Sequence, residues 1–342
     1  MSGPRIKRQQ INWLLSCTLL LMTACHEKLP GPEEGSRLSE TQVREQSQVP
    51  APDRIQVIRP ATVDGMQAYF QALDYRWDNL EEGIPPFILE QFPDDFDANL
   101  HKDQRKEAFF MSLLPMVLLA NQTIQQERRE LLALLERYKE NHALPAEDRE
   151  WLENLTRAYG LRGNPLTDHR TRSILLRRVD TIPPSLALAQ AANESAWGMS
   201  RFAREGNNLF GQWTFKPGSG MVPKNRPPGA TYEVQRFKSL YASIRGYIKN
   251  LNTHSAYQGM RLAREKMRQA GKPVTGSALA RYLTKYSSRG AEYVREIQAM
   301  IRHNNLSEVN QVALNFALPD ATEAVGPSGS GLLTSRYHLS RL

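Results

Sequence analysis

Both cysteines of this chain lie within its first 25 residues, at Cys17 and Cys25. No later residue can form a disulfide or bind a metal through a thiolate, so the rest of the chain has to fold by burying apolar side chains. Its 342 residues, of which 40% are hydrophobic and 23% charged, are sufficient for that and typical of a soluble globular protein. This composition excludes a collagen-like chain, a multi-span membrane protein and a wholly disordered chain.

The net charge of +8 is concentrated in part at the N-terminus. Arg5, Lys7 and Arg8 lie in the first 24 residues, which contain no acidic side chain, so the remainder of the chain is close to +5. Such a mild excess attracts anionic surfaces only weakly and is not typical of a nucleic-acid-binding protein. We therefore expect no nucleic-acid partner.

Residues 1–24 have the pattern of a signal peptide. A short basic segment precedes the apolar run 11–22 (INWLLSCTLLLM), which is shorter than the roughly 20 residues of a transmembrane helix but suits a secretory signal. The following Thr23-Ala24-Cys25 resembles the bacterial lipobox, which implies cleavage before a lipidated Cys25 and a membrane anchor. His26 in place of Asp favours the periplasmic face of the outer membrane as the location. A plain cleaved signal or an uncleaved anchor is the alternative interpretation.

The remaining chain divides into four segments by composition. Residues 25–53 are rich in Pro, Glu, Ser and Gln and predict a flexible tether. Residues 309–342 predict a C-terminal tail that is disordered at least from 319, where Gly, Pro and Ser accumulate. Between them we expect an N-terminal helical region at 54–160 and a second domain at 161–308.

The spacing of apolar residues makes the folded part mainly α. Pro115 is expected to start or kink a helix within the predicted helical segment 102–140. The only convincing strand signal is Thr231–Phe237 (TYEVQRF), which follows a loop rich in Gly and Pro. The predicted helices cover residues 102–140, 146–159, 184–196, 238–252, 257–270, 277–283 and 291–303.

The chemistry of the chain is predicted to depend on carboxylates. The sequence has no metal-ligand spacing, no phosphate-binding loop and no nucleophile elbow, so we expect no metal and no cofactor. Gln190, Glu194 and Trp197 fall at i, i+4 and i+7, along one face of the predicted helix. A carboxyl at a helix end beside an indole is poorly solvated, which raises its pKa and suits a general acid for glycosidic cleavage. A structural Glu bonded to nearby backbone amides is the alternative.

Two motifs in this region resemble a known family. Glu194-Ser195-Ala196-Trp197-Gly198 and Asn208-Leu209-Phe210-Gly211 resemble the glucosaminidase domain of bacterial peptidoglycan hydrolases, and most of all the Bax proteins, a branch of the glycoside hydrolase 73-like family. The resemblance covers roughly residues 165–305. It implies an α+β lysozyme-like fold, with a helical catalytic domain and a small β lobe. It also implies that Glu194 protonates the oxygen between N-acetylglucosamine and N-acetylmuramic acid.

The resemblance also suggests a second catalytic carboxylate, Glu233, in the segment that follows Asn-Leu-Phe-Gly. Glu233 would either activate water or act as a nucleophile, and these roles require carboxyl separations of roughly 6.5–9.5 Å and 5–5.5 Å. A third route uses the acetamido group of the substrate and needs no second carboxylate. A solvated strand residue without a catalytic role is the alternative for Glu233.

The sugar-binding residues implied by the resemblance are mostly aromatic, since a flat ring packs against the C–H groups of a pyranose. A packing role in the core is the alternative for each of them. Asn208 is predicted to be a buried amide that holds the junction between helix and loop. Two positions depart from the family pattern: Ser287–Gly290 replaces a segment containing Asp-Pro, and Gly246 replaces an Asp. The aromatic candidates are Trp197, Phe210, Trp213 and Tyr293.

We therefore predict an envelope-anchored peptidoglycan hydrolase of the β-N-acetylglucosaminidase type. Its partners would be peptidoglycan glycan strands and, through the lipid anchor, a membrane. A non-catalytic peptidoglycan-binding or scaffolding lipoprotein is the alternative class. An amidase acting on the same polymer is less well supported, since the chain lacks the zinc ligands or nucleophilic cysteine that such enzymes use.

Overall fold

A computed structural model of the protein describes residues 55–96 and 100–318 and the backbone of 333–336, all within one compact unit, Val49–Leu342. The predicted signal peptide, Cys25 and the tether up to residue 53 lie outside the described residues and stay predictions.

The described residues form ten α-helices and six short strands. The helices are α1 (Val63–Ala72), α2 (Lys102–Asn141), α3 (Ala146–Ala158), α4 (His169–Arg178), α5 (Pro184–Ser195), α6 (Arg201–Gly206), α7 (Leu240–Thr253), α8 (Gln258–Gln269), α9 (Gly276–Ala280) and α10 (Ala291–His303). The strands are β1 (Gln56–Arg59), β2 (Phe87–Leu89), β3 (Trp213–Thr214), β4 (Gly220–Met221), β5 (Glu233–Gln235) and β6 (Leu333–Arg336). The chain is thus mainly α with a small β component, which confirms the predicted fold class.

The longest helix, α2, forms a large part of the core. Pro115 lies inside it and neither starts nor ends it. The apolar side chains around this position are buried on almost every side. By length and composition α2 could cross a membrane, but 72% of its most apolar stretch is buried within the protein. It is therefore a core helix of the folded unit.

Helix α5 lies at the centre of the fold. It begins at Pro184, whose fixed φ and missing N–H suit the first helical position. Small side chains let α2, α9 and α10 pack closely around it. The fully or almost fully buried alanines are Ala187, Ala189, Ala191 and Ala192.

The segment that leads into α5 is held from both sides. From α2, the Asn121 side chain donates to the carbonyl of Ile182 and accepts from its N–H, at 2.8 and 3.1 Å. From α8, the buried guanidinium of Arg264 is paired with Asp180, with Nε 3.2 Å from Oδ2. Burial lowers the pKa of Arg264 to about 10. These contacts from α2 and α8 fix the position at which α5 starts.

The strands form two three-stranded sheets. In the first sheet, β1 is the middle strand and pairs in parallel with β2 and antiparallel with β6. In the second, β5 is the middle strand between β3 and β4, all antiparallel. We call the second sheet with its connecting loops, residues 213–235, the β lobe. The predicted strand Thr231–Phe237 contains β5.

Two features of the sheets differ from the sequence prediction. The N-terminal region contains strands β1 and β2 as well as helices. The tail predicted to be disordered from 319 contains β6 at Leu333–Arg336, so the prediction is wrong for these four residues. The reason is tertiary: β6 gains its backbone hydrogen bonds from β1, nearly the whole chain length away.

Candidate active site

Glu194 is the penultimate residue of α5, which ends at Ser195 in an unusual turn. Ala196, Trp197 and Gly198 follow with φ of 51°, 59° and 80°. The left-handed conformation costs roughly 1–2 kcal/mol at each non-glycine residue. The turn is held together by Ser195, whose hydroxyl donates to the Ala191 carbonyl and accepts from the Gly198 N–H. Backbone strain of this kind clusters at functional sites.

This turn moves Trp197 away from the position that helical spacing predicts. Because α5 ends before it, the i+7 relation to Gln190 does not hold, and that prediction is wrong. The indole packs edge-on against Phe109 and Phe110 of α2, with ring centroids 5.9 and 5.2 Å away, and Lys106 lies over it at 5.7 Å. Trp197 therefore anchors the strained turn to α2.

Tyrosines, rather than the indole, surround the carboxyl of Glu194. Gln190, one turn earlier on α5, is completely buried. Its amide donates to the Tyr293 hydroxyl at 2.7 Å and accepts from the Tyr247 hydroxyl at 2.6 Å. Gln190 therefore fixes two tyrosines, from α10 and α7, on the face of α5 that carries Glu194.

Burial raises the pKa of Glu194, as the sequence predicts, and it does so more than any other influence. The neighbouring Tyr293 hydroxyl and Asn193 amide lower this pKa in part, as does the charge of Arg289, while Glu296 raises it. Among the described residues, the buried Oε1 atom of Glu194 has no hydrogen-bond partner. Compared with water, the site thus favours the protonated carboxyl, which is the form that a general acid needs.

Gly211 keeps space open beside this carboxyl. It has a φ of 65°, and a Cβ placed on it would lie 3.9 Å from Oε2 of Glu194. A side chain here would be strained and would project onto the acid. The preceding Phe210 carbonyl accepts from the Tyr286 hydroxyl at 3.1 Å. This bond holds the loop against the tyrosine cluster, which consists of Tyr247, Tyr286 and Tyr293.

Asn208 has the role that the sequence predicts. Its side chain is buried and donates to the carbonyls of Gln212 and Gln235, both at 2.8 Å. Its oxygen accepts from the N–H groups of Phe210 and Gln212. Asn208 therefore shapes the loop at Gly211 and joins it to the β lobe.

Two predicted sugar-stacking residues lie in the core instead. Phe210 is buried and stacks on Tyr247, with ring centroids 3.9 Å apart. Tyr293 is also buried and stacks on Tyr286 at 5.4 Å. Neither ring is open to a sugar, so the prediction of a stacking role is corrected: Phe210 packs the loop, and Tyr293 positions Glu194.

Trp213 is accessible. Its side chain is 52% exposed on β3, and its ring lies 4.1 Å from that of Tyr232. Phe215, two residues on, is 76% exposed. The β lobe thus presents aromatic surface, which suits contact with sugar rings.

Glu233 is buried in the β lobe, and both its oxygens are engaged. Oε1 accepts from the Gly218 N–H at 2.9 Å, and Oε2 accepts from the Gly220 N–H at 2.8 Å. These backbone bonds lower the pKa of Glu233. The carboxylate therefore organises the loop between β3 and β4, and its lone pairs are already used in part.

The two positions that depart from the family pattern also have clear environments. A Cβ on Gly246 would lie 3.0 Å from the Phe237 ring and 3.1 Å from the Gln212 amide, so these side chains occupy the space. Arg289 forms an ion pair with Glu296 and lies 5.9 Å from the Tyr293 ring centroid. Among the described residues, no group of His, Cys, Asp or Glu could hold a metal ion.

The sequence assigned no role to the tyrosines at 247 and 286, which build the site together with Tyr293. Their only signal was that they lie in segments resembling the family, Tyr247–Tyr257 and Tyr286–Gly290. Gln190 was placed on the correct face by its i, i+4 spacing from Glu194.

Comparison with known proteins gives three similarities. Residues 174–306 match the glucosaminidase family, described as mannosyl-glycoprotein endo-beta-N-acetylglucosaminidase. The chain is 34% identical over 200 residues to protein bax from Escherichia coli (strain K12), which covers 58% of this chain and 70% of that protein. It also resembles the catalytic domain of the autolysin Auto from Listeria monocytogenes, at 16% identity and a TM-score of 0.27, over 51% of this chain and 96% of that one. The first two matches confirm the resemblance indicated by the motifs.

Proposed function

This chain belongs to the family of Escherichia coli protein bax and carries a glucosaminidase domain, and from that premise we propose that it hydrolyses the glycan strands of peptidoglycan at N-acetylglucosamine. The observation that carries the proposal is the environment of Glu194. Its carboxyl is partly buried, its pKa is raised, and its Oε2 lies beside the space that Gly211 leaves open.

Glu194 acts in this proposal as the general acid. A glycosidic oxygen placed beside the Glu194 carboxyl, on the side that faces Gly211, would accept the proton as the bond to the sugar breaks. Gln190 fixes the Tyr293 hydroxyl, which in turn hydrogen-bonds the Glu194 carboxyl, so little reorganisation of this group is needed during the reaction.

Glu233 supports the β lobe in this proposal rather than the reaction itself. Its two bonds to loop amides would have to break before it could act as a nucleophile or a base. This favours the route in which the acetamido group of the substrate assists the departure of the leaving group, with Glu194 as the acid. Trp213 would support a sugar ring on the same lobe.

The proposal is tested by incubating the purified full-length protein with isolated sacculi and identifying new reducing ends by mass spectrometry of the released fragments. New N-acetylglucosamine reducing ends that disappear in Glu194→Gln are expected. Sacculus binding without any cleavage would refute hydrolysis and support the scaffolding alternative. Release of peptides without new reducing ends would indicate an amidase.

A matched variant separates the two carboxylates. Glu233→Gln keeps the size of the side chain and is expected to retain measurable cleavage, whereas Glu194→Gln loses it. If both variants lose cleavage equally while their far-UV circular dichroism remains unchanged, Glu233 is a second catalytic group and its assignment here is wrong.

We also propose that Cys25 carries a lipid that anchors the protein in the bacterial envelope, at the periplasmic face of the outer membrane. The support is the apolar run at 11–22 followed by Thr23-Ala24-Cys25. Labelled palmitate should be incorporated into the wild-type chain and not into Cys25→Ala. Equal labelling of both would rule out acylation at this residue.

A further inference from the structure

A cavity lined by both apolar and charged side chains lies between α2, the end of α3 and α7, and neither Glu194 nor the tyrosines around it line it. Its volume is about 290 Å³. Short side chains leave the space, with Ala120 and Ala158 on one wall and Ala242 on the other. This size suits a ligand smaller than a typical drug molecule.

The charged groups of the cavity are divided between its walls. Glu127 of α2 is on one wall, where its Oε2 accepts from the Tyr159 hydroxyl at 2.5 Å. Arg245 and Lys249, one turn apart on α7, are on the other wall. Among the ion pairs of the described residues, none joins either cation to Glu127, although their charges lower its pKa against the larger effect of burial.

We propose that this cavity binds a small zwitterion that carries a free carboxylate and a free ammonium group, such as an amino acid or a short peptide with free ends. The carboxylate would bind Arg245 and Lys249, and the ammonium group would bind Glu127. A carboxylate accepts several hydrogen bonds, so the bond from Tyr159 leaves acceptor capacity at Glu127.

The arrangement of charges selects this class of ligand. A simple anion would be attracted by the two cations but repelled by Glu127. A simple cation would be attracted by Glu127 but repelled by the two cations. Only a ligand with both charges satisfies both walls, and charge-assisted hydrogen bonds are the stronger ones. Tyr159 fixes Glu127 in advance, which reduces the ordering cost of binding.

The cavity also gives the N-terminal part of the chain a role. Glu127 and Tyr159 lie outside the matched range 174–306, whereas Arg245 and Lys249 lie inside it. The proposed site therefore exists only where both parts of this chain meet. It does not depend on the proposed glycosidase activity, since its ligand is detected by binding alone.

The test is isothermal titration calorimetry on the full-length protein in mild detergent. The probes are D-alanyl-D-alanine and L-alanyl-L-alanine. Their relative affinities show whether the site prefers a peptide of D-amino acids, as in peptidoglycan, or one of L-amino acids. N-acetyl-D-alanyl-D-alanine, which lacks the ammonium group, and D-alanyl-D-alanine amide, which lacks the carboxylate, serve as ligand controls. Saturable binding of at least one free dipeptide, and weaker binding of both blocked forms, is expected.

Four variants complete the test, one of them held as a substitute. Arg245→Gln should weaken dipeptide binding by about tenfold, the scale of one charge-assisted bond, and Lys249→Gln replaces it if that variant does not fold. Glu127→Gln should weaken the dipeptide but strengthen the N-acetylated form, because the repulsion of a lone anion is removed. Lys272→Gln, which removes an exposed cation outside the cavity, should change nothing.

Three results would overturn the proposal. The first is the absence of saturable binding of either dipeptide at millimolar concentration. The second is tighter dipeptide binding by Glu127→Gln, which would make the site a plain anion site. The third is an equal effect of Lys272→Gln and Arg245→Gln, which would reduce the interaction to net charge.

Discussion

Removal of the Tyr293 hydroxyl should move the pH range in which the protein acts. This hydroxyl accepts from the Gln190 amide at 2.7 Å and is the strongest of the influences that lower the pKa of Glu194 against burial. In Tyr293→Phe the ring remains in the core, but the ionised form of Glu194 loses this support. The pKa of Glu194 should therefore rise further.

The size of the effect follows from the energy of such a contact. A hydrogen bond to a charged group is worth about 1.5–3 kcal/mol, and one pKa unit corresponds to about 1.36 kcal/mol. The lower end applies here because Glu194 is only partly buried, so that water replaces some of the lost support. A general acid works in its protonated form, so the rate falls as pH rises through its pKa. The alkaline limb of the pH–rate profile should thus shift upward by about one unit.

The assay is the loss of turbidity of a sacculus suspension, measured from pH 4 to pH 9, with kcat/KM taken at each pH. Tyr286→Phe is the matched control: its ring stacks on Tyr293, but its hydroxyl donates to the Phe210 carbonyl. Both variants lose one tyrosine hydroxyl in the same cluster, and only one of these hydroxyls supports the acid. Tyr286→Phe should keep the wild-type alkaline limb.

An unchanged alkaline limb in Tyr293→Phe would show that the hydroxyl does not tune Glu194. An equal shift in the two variants would attribute the effect to general loosening of the tyrosine cluster. Either result would refute the reasoning, provided that both variants melt cooperatively.

Three further changes have expected outcomes. Because burial raises the pKa of Glu194, its ionised form opposes folding at neutral pH. Glu194→Gln should therefore raise the urea midpoint of unfolding at pH 7, and this increase should disappear below about pH 4. Asp180→Asn leaves the buried Arg264 without its counter-charge and should reduce the free energy of unfolding by about 3 kcal/mol or more, measured by urea denaturation; a loss below about 1 kcal/mol would contradict this. The lowered pKa of Glu233 means that it stabilises the β lobe above its unfolded pKa and that this support is lost as pH falls through its folded pKa. Hydrogen exchange of the two loop amides that it binds should accordingly accelerate by about tenfold in Glu233→Gln at pH 7, and unchanged exchange would count against the assignment.

The helices could be predicted from the sequence because their apolar residues repeat at a regular spacing. The predicted spans 102–140, 146–159 and 291–303 agree with α2, α3 and α10 to within a residue at each end. The buried surface of each helix is set by its own sequence, so local patterning is sufficient. Glu194 was likewise predicted to lie at a helix end with a raised pKa, and the structure confirms both.

The parts that the sequence missed depend on contacts between distant residues. The turn after Ser195 carries Trp197 away from Glu194, although Ala196 and Trp197 have no preference for a left-handed conformation and only Gly198 signals it. Strands of two to four residues are too short to show an alternating pattern. Glu233 was predicted as a second catalytic carboxylate from its place in the sequence, and its bonds to amides 13 and 15 residues away appear only in the folded chain.

The contacts of α2 with the segment before α5 determine whether the glucosaminidase domain can fold without α2. Asn121 satisfies both backbone groups of Ile182, and Arg128 donates to the carbonyls of Leu176 and Val179. A fragment cut at 174–306 would lose these partners and the apolar face of α2 together, and buried backbone groups without partners cost about 1–3 kcal/mol each. The homology boundary is therefore not a folding boundary. An engineer who transplants residues 174–306 of this chain therefore has to take α2 with them.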